Sequence, residues 1–159
     1  MLSSPRSHIK DTHTFKTSLY VYYDDTDAGG VVYHANYLKF AERARTEMLR
    51  SLQLGHTVLR KKYGIVFVVR SCTIDFLKPA HLDDRLTVLT SVRRVMGPVI
   101  KIEQQIVRAV EASPLVDVEV LCRLAVTTAC INSCGEVILV PQDVSSILSA
   151  MPALVATAV

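Results

Sequence analysis

One stretch of the chain, Asn36 to about Leu54, carries a helical period: Tyr37, Phe40, Ala41, Ala44, Met48 and Leu52 recur at three- and four-residue steps. Lys39, Glu42, Arg43, Thr46, Glu47 and Arg50 take the other faces, so the spacing predicts an amphipathic helix of about five turns. Gly55 stands just past the last periodic residue, where glycine commonly ends a helix. After Gly64 the period drops to two. A single long helix among a run of strands has one way to bury its apolar stripe, which is under a sheet that covers it, and this predicts an α+β domain.

The strands are delimited by their punctuation. Phe15 to Tyr23 alternates; Ile65 to Leu77 is rich in Val, Ile, Phe and Thr until Lys78-Pro79; Asp84 to Met96 and Val99 to Val110 flank the turn Gly97-Pro98. Ile100, Ile102 and Ile106 share one face of their strand, with Lys101, Glu103 and Gln105 opposite. Ser113-Pro114 marks a turn in Glu111 to Leu115. Beyond it Val118, Val120, Cys122, Leu124, Val126 and Cys130 line one face of a long strand expected to be central. Asn132 to Gly135 turns the chain into a short last strand, Glu136 to Val140, and Gln142 to Leu148 reads as a terminal helix.

A chain of 159 residues suits one core. It divides into a polar tail, 1–14, expected to be disordered and without the apolar centre of a secretory signal, a folded unit, 15–148, and a short apolar tail, 149–159. No apolar run approaches the roughly 20 residues of a membrane span. A formal charge of +3 with both signs interspersed lacks the basic stripe of a nucleic-acid binder. Cys72, Cys122, Cys130 and Cys134 form no CxxC pair, and three fall in apolar strand patterns, so they read as reduced core thiols of a cytoplasmic protein, with no metal site.

Chemistry concentrates in Tyr22 to Arg50. Asp24, Asp25 and Asp27 precede Gly29-Gly30, and His34-Ala35-Asn36 opens the helix, so carboxylates and a turn lie close to a helix N-terminus. That end carries unpaired N–H groups and partial positive charge, which can hold an anion or a developing oxyanion. The same residue types also make plain turns. A calcium loop counted from Asp25 would need glutamate at its twelfth position, which is Asn36.

The run DTDAGGVVYHANYLKFAERARTEMLR, followed by Ile74-Asp75-Phe76-Leu77-Lys78-Pro79-Ala80 and Asp83-Asp84, resembles the YbgC-like branch of the 4-hydroxybenzoyl-CoA thioesterase family over roughly residues 16–148. The resemblance implies a hotdog fold, a long central helix wrapped by a curved antiparallel sheet of five to six strands. It also implies an enzyme hydrolysing acyl-CoA thioesters without a cofactor, assembled as a homo-oligomer, dimer or tetramer, with acyl carrier protein as a further partner. The family's catalytic aspartate matches Asp27, not Asp24 or Asp25, and its backbone donor to the carbonyl oxygen matches the N–H of His34, whose imidazole is a second catalytic candidate. Tyr23, Gly30 and Tyr33 are expected to shape the pocket, and Arg93 and Arg94 are the nearest match to the family's basic segment for the CoA phosphates. The same chemistry admits a non-catalytic acyl-CoA or acyl-carrier-protein binding module, but binding alone has no use for a carboxylate at Asp27. A hotdog dehydratase would carry a different, His-centred helix motif.

Overall fold

The helical period folds as one helix and the alternating runs as one sheet. The computed structural model describes residues 14–109 and 118–151. Strands β1 (Phe15–Tyr20), β2 (Ile65–Phe76), β3 (Arg85–Met96), β4 (Val99–Ala109) and β5 (Val118–Asn132) make a five-stranded antiparallel sheet in the order β1-β3-β4-β5-β2. Helix α1 (His34–Ser51) lies across it, chiefly on β3, β1 and β4. A short helix α2 (His56–Val58) and a π turn, Leu59–Tyr63, lead into β2, and α3 (Gln142–Ser149) follows β5. This is the hotdog arrangement, α+β with the sheet wrapped on one helix.

Tyr37, Phe40, Ala41, Ala44 and Met48 of α1 are buried against Val88, Ile106, Leu121 and their neighbours. The alanines let the helix approach the sheet, and the large side chains fill the space beside them. The sheet must curve to do this. Its register slips by one residue at Arg70 in β2, Arg93 in β3 and Leu121 in β5, and such bulges bend and twist strands.

Gln104 shares the buried row of Ile100, Ile102 and Ile106 on β4. Its amide accepts from Arg45 Nη1 (2.8 Å) and donates to the Ala41 carbonyl and Thr90 Oγ1 (2.9 Å each), so a fully buried polar group is satisfied while it clamps α1 to the sheet. Burial pushes the Arg45 guanidinium below its usual pKa.

Several local expectations are corrected. β1 ends at Tyr20, because Val21 pairs instead with Asp83 and Asp84 and Tyr23–Asp25 winds into a 3-10 turn. Helix α1 is closed by Gln53, not Gly55. Gln53 adopts φ +60°, its N–H donates to the Arg50 carbonyl and the Leu54 N–H donates to Leu49. β4 occupies the middle of the sheet, and β5 lies between it and the edge strand β2. Glu136 to Val140 makes a single bridge, Val137 with Ile131, and is no strand. Thr14 and Met151 are buried, so both belong to the folded unit and not to the tails. Cys122 and Cys130 are core thiols, burial pushing Cys122 up to about 12, whereas Cys72 and Cys134 are exposed. The expected turn at Glu111 to Leu115, the tail 1–13 and residues 152–159 lie outside the described residues.

Candidate active site

Strand β1 hands the chain to a loop that doubles back on itself before α1. The Asp27 N–H donates to the Val31 carbonyl and the Gly30 N–H to the Asp27 carbonyl (both 3.0 Å), while Thr26 bridges Val32. The Asp25 carbonyl accepts from the Tyr33 N–H (2.9 Å) and from Asn36 Nδ2 (2.8 Å). Asp25, Thr26 and Asp27 therefore stand opposite Tyr33, Val32 and Val31, which sets Asp27 on the order of 7 Å along this ladder from Tyr33, the residue before the helix. Gly30 takes φ +76°, a conformation that a side-chain-bearing residue rarely adopts, and the space a Cβ would enter is open.

The Asp27 carboxylate is exposed, and its Oδ1 accepts from the Gly29 N–H at 2.7 Å. That bond orients the group, and its second oxygen has no hydrogen-bond partner among the described residues. At the helix start Tyr33 is the N-cap residue without a side-chain cap. The His34 and Ala35 N–H groups donate to no acceptor among the described residues, whereas the Asn36 N–H turns back to the Tyr33 carbonyl. Two free donors at the positive end of an 18-residue helix can stabilise an oxyanion.

The loop is braced from the β2–β3 connection. The Val32 N–H donates to the Ala80 carbonyl (2.9 Å), and the Ala80 N–H donates to the Tyr37 hydroxyl (3.0 Å). Burial raises the Tyr37 pKa, which keeps the phenol neutral. Arg108 joins Asp84 to Glu119, and hydrogen bonds from Lys78 and Arg108 hold the Glu119 carboxyl below its usual range. The second sequence block, Ile74 to Asp84, thus serves the site by holding its loop.

Asp27, Gly30, Tyr33 and His34 come together around the turn and the helix start. Tyr23 belongs to the same loop and is 82% exposed. The His34 ring packs against Tyr33 (4.5 Å between centroids) and edge-on to Phe76 (6.3 Å). Phe76, Tyr37 and Asn36 were not singled out as site residues from the sequence, since nothing local shows that β2 ends beside the helix start. Arg93 and Arg94 are placed apart from the rest. β3 leaves the loop region at Arg85, and eight residues at about 3.3 Å each carry Arg93 some 26 Å away. There Arg93 is engaged with Glu103 (2.7 Å), while Arg94 stands opposite Lys101.

The thioesterase superfamily model matches residues 29–114. The YbgC acyl-CoA thioesterase of Haemophilus influenzae is 46% identical over 108 residues, which cover 68% of this chain and 79% of that protein. The YbgC acyl-CoA thioester hydrolase of Escherichia coli is 45% identical over 111 residues, 70% and 81% of the two chains. The crystal structure of a 4-hydroxybenzoyl-CoA thioesterase mutant with 4-hydroxybenzoyl-CoA bound superposes with a TM-score of 0.74 at 22% identity over 86% of this chain and 99% of that one. This last likeness is one of fold.

Proposed function

The chain belongs to the thioesterase superfamily, in its YbgC-like branch, and from that premise we propose that it hydrolyses acyl-CoA to free acid and CoA with Asp27 as nucleophile or general base. The observation that carries the reading is the Asp27 carboxylate, held by its own loop within one short ladder of two N–H groups at the start of α1 that have no acceptor among the described residues. A thioester carbonyl laid across that gap has its oxygen toward the His34 N–H and its carbon toward Asp27. As nucleophile, Asp27 forms an acyl anhydride with loss of the CoA thiolate, and water then opens it. As base, it takes a proton from the water that attacks. In either route negative charge grows on the carbonyl oxygen, where the helix dipole favours it. In this reading the His34 imidazole, packed against Tyr33 and Phe76, protonates the leaving thiolate, and Tyr23, Gly30 and Tyr33 shape the pocket.

Gly29 tests the loop directly. A Cβ there would lie 3.0 Å from Asp27 Oδ1, so Gly29→Ala pushes the carboxylate aside by a few tenths of an ångström without straining the backbone. We expect kcat to fall by about tenfold or more, as misplacement of a reacting group does, with the melting temperature held within a few degrees. An unchanged kcat would contradict the role given to this orientation.

The site is open in a single chain, and among the described residues β2 has no strand on its outer edge, where Val68, Val69 and Phe76, and Leu77 just past it, are exposed. The reading therefore includes self-association along β2, as a dimer or a tetramer. Arg93 and Arg94 would then serve the CoA arm bound at another subunit's loop. Acyl carrier protein as a partner and a cytoplasmic setting belong to the same proposal. No helix of the described residues is long and apolar enough to cross a membrane. Sedimentation equilibrium at micromolar protein should give a multiple of the 17.6 kDa chain. An active monomer would separate assembly from catalysis.

A further inference from the structure

Because α1 rests chiefly on β3, β1 and β4, the face that edge strand β2 turns toward the helix is only partly covered. The bulge at Arg70 switches parity, so this face reads Phe67, Val69, then Cys72, Ile74 and Phe76, opposite the buried Cys130, Thr128, Val126, Leu124 and Cys122 of β5. Val69 and Phe76 remain 52% and 49% exposed. Across from them His34, Leu38, Glu42, Arg45 and Leu49 follow at four- and three-residue steps along one face of α1. The two rows border a trough that starts where the His34 ring meets Phe76. It ends in a cavity of about 100 Å³ with Leu49, Phe67, Val92, Ile100, Ile102 and Leu148 in its walls.

Most polar side chains at the cavity are occupied with one another, but Thr128 Oγ1, also in its wall, is buried with no hydrogen-bond partner among the described residues. Thr46 Oγ1 donates to Glu42 (2.7 Å) and lies 3.1 Å from His56 Nε2, and Arg45 donates to Gln104. Apart from that one hydroxyl, what the cavity offers a ligand is apolar contact.

We infer that the acyl group this enzyme takes is a long aliphatic chain, which runs from the thioester site along the trough and seats its far end in the cavity beneath Leu49. This rests on the reading of Asp27 and the α1 start as the thioester site. Two magnitudes select the class. From His34 to Arg45 the helix rises roughly 17 Å at 1.5 Å per residue, beyond the reach of a single ring attached to the carbonyl. The cavity, at about 100 Å³, is also smaller than the roughly 150 Å³ that accommodates a benzene in an apolar protein interior, and so fits the end of an alkyl chain. A second copy paired along β2 would roof the trough.

The test is kcat/KM for butyryl-, palmitoyl- and benzoyl-CoA. Each methylene withdrawn from water contributes about fourfold, so palmitoyl-CoA should exceed butyryl-CoA by at least about tenfold and benzoyl-CoA should not exceed palmitoyl-CoA. Val69→Phe, which fills the trough from a half-exposed position, should lower the palmitoyl-to-butyryl ratio at least tenfold. A parent that turns over butyryl- or benzoyl-CoA as well as palmitoyl-CoA overturns the inference alone, as does a ratio that Val69→Phe leaves within twofold of the parent's. Silence on all three thioesters overturns the thioesterase reading and the inference with it.

Discussion

Asp27→Asn is expected to lower kcat on acyl-CoA by at least about a hundredfold, the smaller end of what a general base contributes, while KM changes little. Asparagine keeps the size of the side chain and an oxygen to accept the Gly29 N–H, so the bond at 2.7 Å and the turn it closes can persist. What disappears is the charge, the nucleophilicity and the basicity, one of which each route requires. Asp24→Asn is the matched control. Asp24 is exposed in the 3-10 turn, and among the described residues its side chain has no hydrogen-bond partner. Its variant should stay within a few-fold of the parent. Equal losses in the two variants would detach the chemistry from Asp27 and leave only a general requirement for acidity in the loop.

The largest stability effect is expected at Phe40. Its ring is 1% exposed, at the centre of the α1 face, edge-on to Tyr37 at 6.2 Å between centroids. Truncation to alanine removes the ring and leaves a cavity that rigid neighbours cannot fill, at a cost of about 3–5 kcal/mol. Against a typical total of about 5–15 kcal/mol, that is enough to leave the variant marginal. Urea denaturation should show the midpoint falling with an unchanged slope. A shift below about 1 kcal/mol would mean that α1 is not anchored where the sheet wraps it.

The helix was legible because Tyr37, Phe40, Ala41, Ala44 and Met48 do one job, burial against a sheet, and that job imposes a period. The strands were legible for the same reason, and the loop because aspartate and glycine are the residues that form turns. What escaped depends on which partners each residue meets, and a period does not name them. Glu136 to Val140 alternates like a strand but finds only one bridging residue, Ile131. Gln104 breaks the isoleucine row because Arg45, Ala41 and Thr90 converge on it in space. Gln53, not the nearby glycine, takes the left-handed position, since a closed Schellman pair of hydrogen bonds outweighs the modest cost of its Cβ. Phe76 reaches His34 only because β2 runs antiparallel along β5 to end there. Arg93 and Arg94 look like one basic unit in sequence, but the bulge at Arg93 and the pair with Glu103 give them different surroundings.

The most direct measurement is the release of free CoA thiol by the purified parent protein from short, long and aromatic acyl-CoAs, followed beyond one equivalent per chain. Asp27→Asn is run in parallel, with its fold confirmed by circular dichroism. Sustained turnover by the parent on at least one thioester, lost in Asp27→Asn, is the predicted result. Stoichiometric binding of acyl-CoA with no thiol released, or turnover that survives intact in Asp27→Asn, would contradict it.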